Sequence, residues 1–191
     1  MGRHLAVAIA ALGLHAASAA GPADSLPPPL ALLPAPPAPE RGDRDLERTI
    51  EGFIRGVNAA VAPERAVALA RVTVEIALAR HLDPLLLAGI MAQESRFHAD
   101  VQSCHAGGCD LGVAQVNWET WGRELELDRH RLIHDDAYNL AVAATILTDL
   151  RVRFRREGRG WWTRYHDARA ERRADYAARV RSHGPALLAE L

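Results

Sequence analysis

The stretch Asp83-Pro84-Leu85-Leu86-Leu87-Ala88-Gly89-Ile90-Met91-Ala92-Gln93-Glu94-Ser95 sets the reading of the whole chain. Its opening Asp-Pro is a helix N-cap followed by a first-turn proline: the carboxylate accepts otherwise unpaired N–H groups, and proline brings no N–H of its own. Leu87, Ile90 and Met91 then fall at i, i+3 and i+4, one apolar stripe of an α-helix. Glu94 falls at i+7, on that stripe and in the last turn. Glu is seldom buried without a partner. Lost hydration and the negative end of the helix dipole both disfavour its ionised form, so both push its pKa upward. An acid still protonated near neutral pH is what donating a proton to a leaving oxygen requires. The plainer alternative is a Glu turned to water at the helix end, or paired with Arg96 or another Arg.

Helical periodicity continues on both sides. Leu46, Ile50, Phe53, Ile54 and Val57 share one face of an amphipathic helix, and Pro63 opens a second that runs to about Arg80. Asp135 or Asp136 caps a long helix expected to reach about Glu157, where Gly158 and Gly160 break it. Shorter helices are expected at Trp161–Ala168 and Ala170–Arg181. The segment His98–Asp110, rich in Gly, His and Cys, reads as a loop. No stretch alternates convincingly with a two-residue period and no internal repeat is present. The predicted fold class is all-α, or mostly α.

Toward the N-terminus the chain changes character. Arg3 and His4 precede the apolar run Leu5–Leu14 and the small residues Ala16-Ala17-Ser18-Ala19-Ala20, the pattern of a secretory signal peptide. The run is too short to span a bilayer, and cleavage after Ala19 fits best. Residues 22–39 hold eight of the eleven prolines and read as an extended tether. The predicted organisation is therefore a signal peptide over 1–19, a Pro-rich linker over 20–41 and one domain over 42–191. A periplasmic, soluble product with no membrane span after cleavage is expected, and a monomer.

Charge excludes little more. The net charge of −1 gives no case for a polyanionic partner. It conceals a basic stretch, since residues 151–181 carry eleven Arg against Glu157, Asp167, Glu171 and Asp175. That stretch suits either an anionic surface or an ordinary solvated helix face. No basic–aromatic motif of the kind that reads bases is present, so nucleic acid is not an expected partner. The two cysteines, Cys104 and Cys109, lie in one Gly-containing segment of a chain read as exported, so a disulfide is the natural reading. A zinc site with His98 and His105 is the rival, but the spacing is no familiar finger pattern. No metal and no cofactor is predicted.

Four pieces occur in order: Gln93-Glu94-Ser95-Arg96-Phe97, Gly112-Val113-Ala114-Gln115-Val116-Asn117, Asn139 in the long helix, and Tyr165 after the Trp161-Trp162 pair. Together they resemble the catalytic domain of the soluble lytic transglycosylases, relatives of goose-type lysozyme that cleave peptidoglycan. The likeness runs over roughly Ala66–Val180. It implies a lysozyme-like helical domain with a substrate cleft. It implies Glu94 as the sole catalytic acid and then base, and a substrate site formed with Ser95, Gln115, Asn117, Asn139 and Tyr165. Ser95 would support the helix end, Gln115 would line the cleft, Asn139 would steady it, and Tyr165 would bond near Glu94 or the sugar. The implied reaction breaks the MurNAc–GlcNAc β-1,4 bond and leaves a 1,6-anhydro-MurNAc end.

Departures from the family pattern bear on the subsites. Gly-Val-Ala-Gln stands for G-L-M-Q, so Ala114 replaces the usual Met. Tyr165-His166-Asp167-Ala168 stands for Y-N-A-G, and a similar Tyr-His occurs in transglycosylases that accompany secretion, conjugation or pilus machines, which makes such an apparatus a candidate partner. A hydrolytic, goose-type muramidase would need a second carboxylate about 5–9.5 Å from the acid, for which Asp110 is the best placed. A peptidoglycan-binding module without turnover is the remaining alternative.

Overall fold

The computed structural model describes residues 41–166, 170–185 and 188, and the expected signal peptide and nearly all of the linker lie outside them. Seven α-helices and a small antiparallel sheet follow in the order α1 (Arg41–Val57), α2 (Pro63–Ala79), α3 (Pro84–Glu94), β1 (Gln102–His105), β2 (Gly108–Leu111), β3 (Val116–Asn117), α4 (Trp118–Trp121), α5 (Arg129–His134), α6 (Asp136–Arg153) and α7 (Ala170–Ser182). A kinked 3-10 segment over Arg155–Tyr165 joins α6 to α7. The fold is mostly α, as the periodicity predicts.

Helix α3 is the axis of the domain. The Asp83 carboxylate caps it by accepting the Leu85 N–H at 2.8 Å. Leu87, Ile90 and Met91 have no solvent exposure. Gly89 lets α7 approach, since a Cβ there would meet Val180 Cγ1 at 3.1 Å. Immediately after Glu94 the helix is stopped hard. Arg96 and Phe97 take left-handed φ values of 51° and 60°, which side-chain-bearing residues adopt only when their surroundings enforce it. Here Phe97 is fully buried edge-on against Phe53, with ring centroids 5.8 Å apart. Asn58 Nδ2 donates to the Arg96 carbonyl at 2.9 Å and Arg65 Nη1 to the Phe97 carbonyl at 2.6 Å. Helices α1 and α2 thus fix where the chain leaves Glu94.

The segment expected as a loop, His98–Asp110, instead carries β1 and most of β2, which with β3 form a sheet of order β1-β2-β3. Cys104 lies opposite Cys109, Asp110 opposite both Ser103 and Asn117, and Leu111 opposite both Gln102 and Val116. Cys104 and Cys109 form a disulfide across the hairpin, with Cα atoms 4.1 Å apart. The sheet escapes detection by alternation because β1 is exposed throughout and only Leu111 of β2 is buried. Backbone pairing and the disulfide hold it, not an apolar face.

Helix α6 is capped by Asp135, whose Oδ1 accepts the Tyr138 N–H at 2.9 Å. It ends at Arg153, short of the expected Glu157. Beyond Phe154 the chain offers only exposed Arg155 and Arg156, with no apolar stripe to bury, and the tighter 3-10 turns take over. Of the short helix expected at Trp161–Ala168, Trp161–Tyr165 forms the second half of this segment, and residues 167–168 lie outside the described residues. Helices α4 and α5, each a turn or two long, carry no periodicity that a sequence could show.

Candidate active site

Glu94 ends α3 with its side chain directed at α7. The residue is half-buried and its carboxyl is largely enclosed. Its Oε1 accepts a 2.7 Å hydrogen bond from the hydroxyl of Tyr176, a residue with no solvent exposure. Arg96, the one alternative partner named from the sequence, instead donates from Nη2 to the Val57 carbonyl at 2.8 Å. Burial pushes the Glu94 carboxyl from its ordinary 4.5 up to about 7. The bond from Tyr176 pulls the other way, the Asp110 charge adds to the rise, and the Arg179 charge opposes it. Burial and the nearby Glu94 charge hold the Tyr176 and Tyr165 phenols well above their usual range, so both are donors at any working pH.

Sequence reasoning missed Tyr176. The hint available was its place in α7, where Tyr176, Ala177 and Val180 form the apolar face of an otherwise Arg-rich helix. Two aromatic rings hold it: His166 stacks on it at 4.6 Å and 7° between planes, and Trp162 lies 5.9 Å away.

The turn Gly112-Val113-Ala114-Gln115 is assembled by the residues expected to bind substrate. Ser95 Oγ donates to the Val113 carbonyl at 2.7 Å, tying the end of α3 to the turn. Asn139 lies buried beneath it: Oδ1 accepts the Ala114 N–H at 2.8 Å, while Nδ2 donates to the carbonyls of Leu111 and Leu132 at 2.8 and 2.9 Å. Gly112 has φ +75°, and a Cβ there would sit 2.1 Å from the Leu132 carbonyl oxygen. No other residue fits. Tyr165 donates to the Ala114 carbonyl at 3.0 Å, so the phenol expected beside the acid holds the turn, and Tyr176 holds the acid. Gln115, at φ 51°, turns its amide nitrogen back on the Gly112 and Val101 carbonyls at 2.9 and 3.2 Å.

Asn117 stands apart from that group. Its Oδ1 caps α4 through the Thr120 N–H, and its Nδ2 donates to Asp110 Oδ1, each at 2.8 Å. The other Asp110 oxygen meets His105 Nε2 at 2.8 Å. Asp110 is therefore held on the sheet with its charge in reach of Glu94. The disulfide takes both cysteines from the zinc alternative. Among the described residues no group of three or more His, Cys, Asp and Glu side chains is placed to hold a metal ion, and no helix is long and apolar enough to cross a membrane.

The family model described as Transglycosylase SLT domain matches residues 72–173, which takes in Glu94, the Gly112–Gln115 turn, Asn139 and Tyr165 and ends just short of Tyr176. No curated protein and no solved structure matches the chain.

Proposed function

The chain belongs to the transglycosylase SLT domain family, whose general activity is cleavage of peptidoglycan, and on that premise we propose that Glu94 alone serves as acid and then base in breaking the MurNAc–GlcNAc β-1,4 bond. The observation that carries the reading is the carboxyl at the end of α3, lifted to about 7 by burial and held by Tyr176. Near neutral pH a substantial fraction is protonated. That fraction gives its proton to the glycosidic oxygen as the C–O bond breaks. The substrate's own N-acetyl oxygen supports the oxocarbenium-like carbon that forms. Glu94, now ionised, removes the proton of the muramic acid 6-hydroxyl, and that oxygen closes onto the anomeric carbon. The product is a 1,6-anhydro end, and Glu94 regains its starting proton. Water is neither added nor lost.

Ser95, Asn139 and Tyr165 act in this reading through the turn that they hold, with Gln115 at its end. The substrate lies outside the cytoplasm, so export to the periplasm belongs to the same proposal, with the leader over 1–19 as its means. The Tyr165-His166 turn makes service to a secretion, conjugation or pilus apparatus part of the reading.

One observation favours a second reading. Asp110 is near enough for its charge to raise the Glu94 pKa, and a carboxylate so placed suits the activation of water in a muramidase. Digestion of purified sacculi followed by mass analysis of the muropeptides separates the two. A transglycosylase leaves ends lighter than the hydrolysed ones by one water. Hydrolysed ends alone would overturn the proposed mechanism, and intact sacculi would overturn the enzyme assignment.

A further inference from the structure

Tyr176 and Arg179 of α7 and His183, one residue past its end, stand at i, i+3 and i+7 along the side of α7 that meets the end of α3. The outer two are anchored there, Tyr176 to Glu94 at 2.7 Å and His183 Nε2 to Gln93 Oε1 at 3.2 Å. Val180, fully buried against Gly89, fixes the backbone between them. Arg179 thus lies one turn along α7 from the Tyr176 that grips Glu94, close enough for its charge to act on that carboxyl. Arg65, Arg131, Arg153 and Arg173 each meet a carboxylate, at 2.8, 2.8, 2.7 and 3.3 Å. Arg179 is exposed and meets none among the described residues. A cation here works against the protonated Glu94 that the first step needs. Its placement makes sense when the substrate brings an anion to meet it.

Resting on the proposed function, we propose that Arg179 is a specificity residue that binds a carboxylate carried by the substituent on the muramic acid of the substrate. The glycan strand offers no other choice, because its sugars are neutral and its anions hang from the lactyl arm. They are the carboxylates of a peptide stem or, once the stem is gone, the lactyl carboxylate itself. A guanidinium offers a planar fork of donors that meets such a group bidentately. Pairing also cancels the positive charge that Glu94 feels. A carboxylate-bearing substrate thereby favours the protonation of the acid that cleaves it.

Three substrates test this: stem-bearing sacculi, amidase-stripped glycan with its free lactyl carboxylate, and stem-bearing sacculi whose carboxyls have been converted to amides. Wild type should cleave at least one carboxylate-bearing form about tenfold better in kcat/KM than the amidated form. Whichever form shows the preference identifies the source of the carboxylate. Arg179→Gln should bring that ratio down to near one, Arg179→Lys should keep part of it, and the exposed Arg156→Gln should leave it intact. Unchanged thermal midpoints confirm that the variants are folded. A preference that survives Arg179→Gln, or that Arg156→Gln reduces as much, overturns the subsite and leaves the proposed function standing. Failure of wild type to cleave any of the three overturns the proposed function, and the subsite with it.

Discussion

Tyr176 donates its phenolic proton to Glu94 Oε1 at 2.7 Å, joining residues 82 apart in the chain. The bond favours the ionised carboxylate while burial favours the protonated one, and burial wins. The carboxyl is left poised near neutrality and aimed in one direction.

Glu94→Gln should fold and should lose cleavage of sacculi by roughly 10²–10⁴-fold, the share usually supplied by a positioned general acid. Release of soluble muropeptides measures it. Turnover like that of wild type would remove Glu94 from the mechanism.

The same substitution should make the protein more stable at neutral pH. Glu94 holds its proton more tightly folded, at about 7, than unfolded, near 4.5. The native state therefore carries the extra proton between those values, and stability falls as pH rises through that window. The full difference is roughly 3 kcal/mol. Denaturant unfolding at pH 8 should show Glu94→Gln above wild type, with the margin closing toward pH 4.5.

Tyr176→Phe removes the one contact with Glu94 that favours ionisation through a hydrogen bond, so the Glu94 pKa should rise further. As the proton donor must be protonated, kcat/KM should fall with rising pH through about 7 in wild type. In the variant that alkaline limb should move to higher pH, while the maximal rate drops about tenfold through lost orientation. A lower rate with an unmoved limb would leave Tyr176 a packing role only.

Asp110→Asn should act in the opposite direction. The Asp110 charge raises the Glu94 pKa, so its removal should shift the alkaline limb to lower pH. The products should still end in the anhydro sugar. Loss of hydrolysed ends on this substitution would instead mark Asp110 as an activator of water.

Asn139→Ala leaves the Ala114 N–H and the Leu111 and Leu132 carbonyls without the partner that now serves all three. About 2–4 kcal/mol of stability should be lost, read as a lower denaturant midpoint. Activity should fall with it, because the turn over Asn139 carries Gln115.

Much of this was legible in the chain. The Asp83-Pro84 cap, the stripe through Leu87, Ile90 and Met91, and the displaced Glu94 are local, and local pattern is enough to place a helix and an odd carboxylate at its end. The hairpin was not legible, since pairing and a disulfide hold it with a single buried side chain in its two strands. Tyr165 could be nominated, but not its partner, since its hydroxyl is spent on the Ala114 carbonyl of the same turn that Asn139 supports.

The sequence by itself determined the longer helices, the stripe that half-buries Glu94 and the cysteine pair, because each depends on neighbours a few residues away. Only the tertiary structure decided that Tyr176 grips the acid, that Arg179, which meets no carboxylate among the described residues, brings its charge within reach of it, and that the Asp110 charge reaches it from the sheet. Those relations arise where α7 and the hairpin close on the end of α3. Side-chain charge and hydrogen bonding act over a few ångströms of space, whatever the distance along the chain.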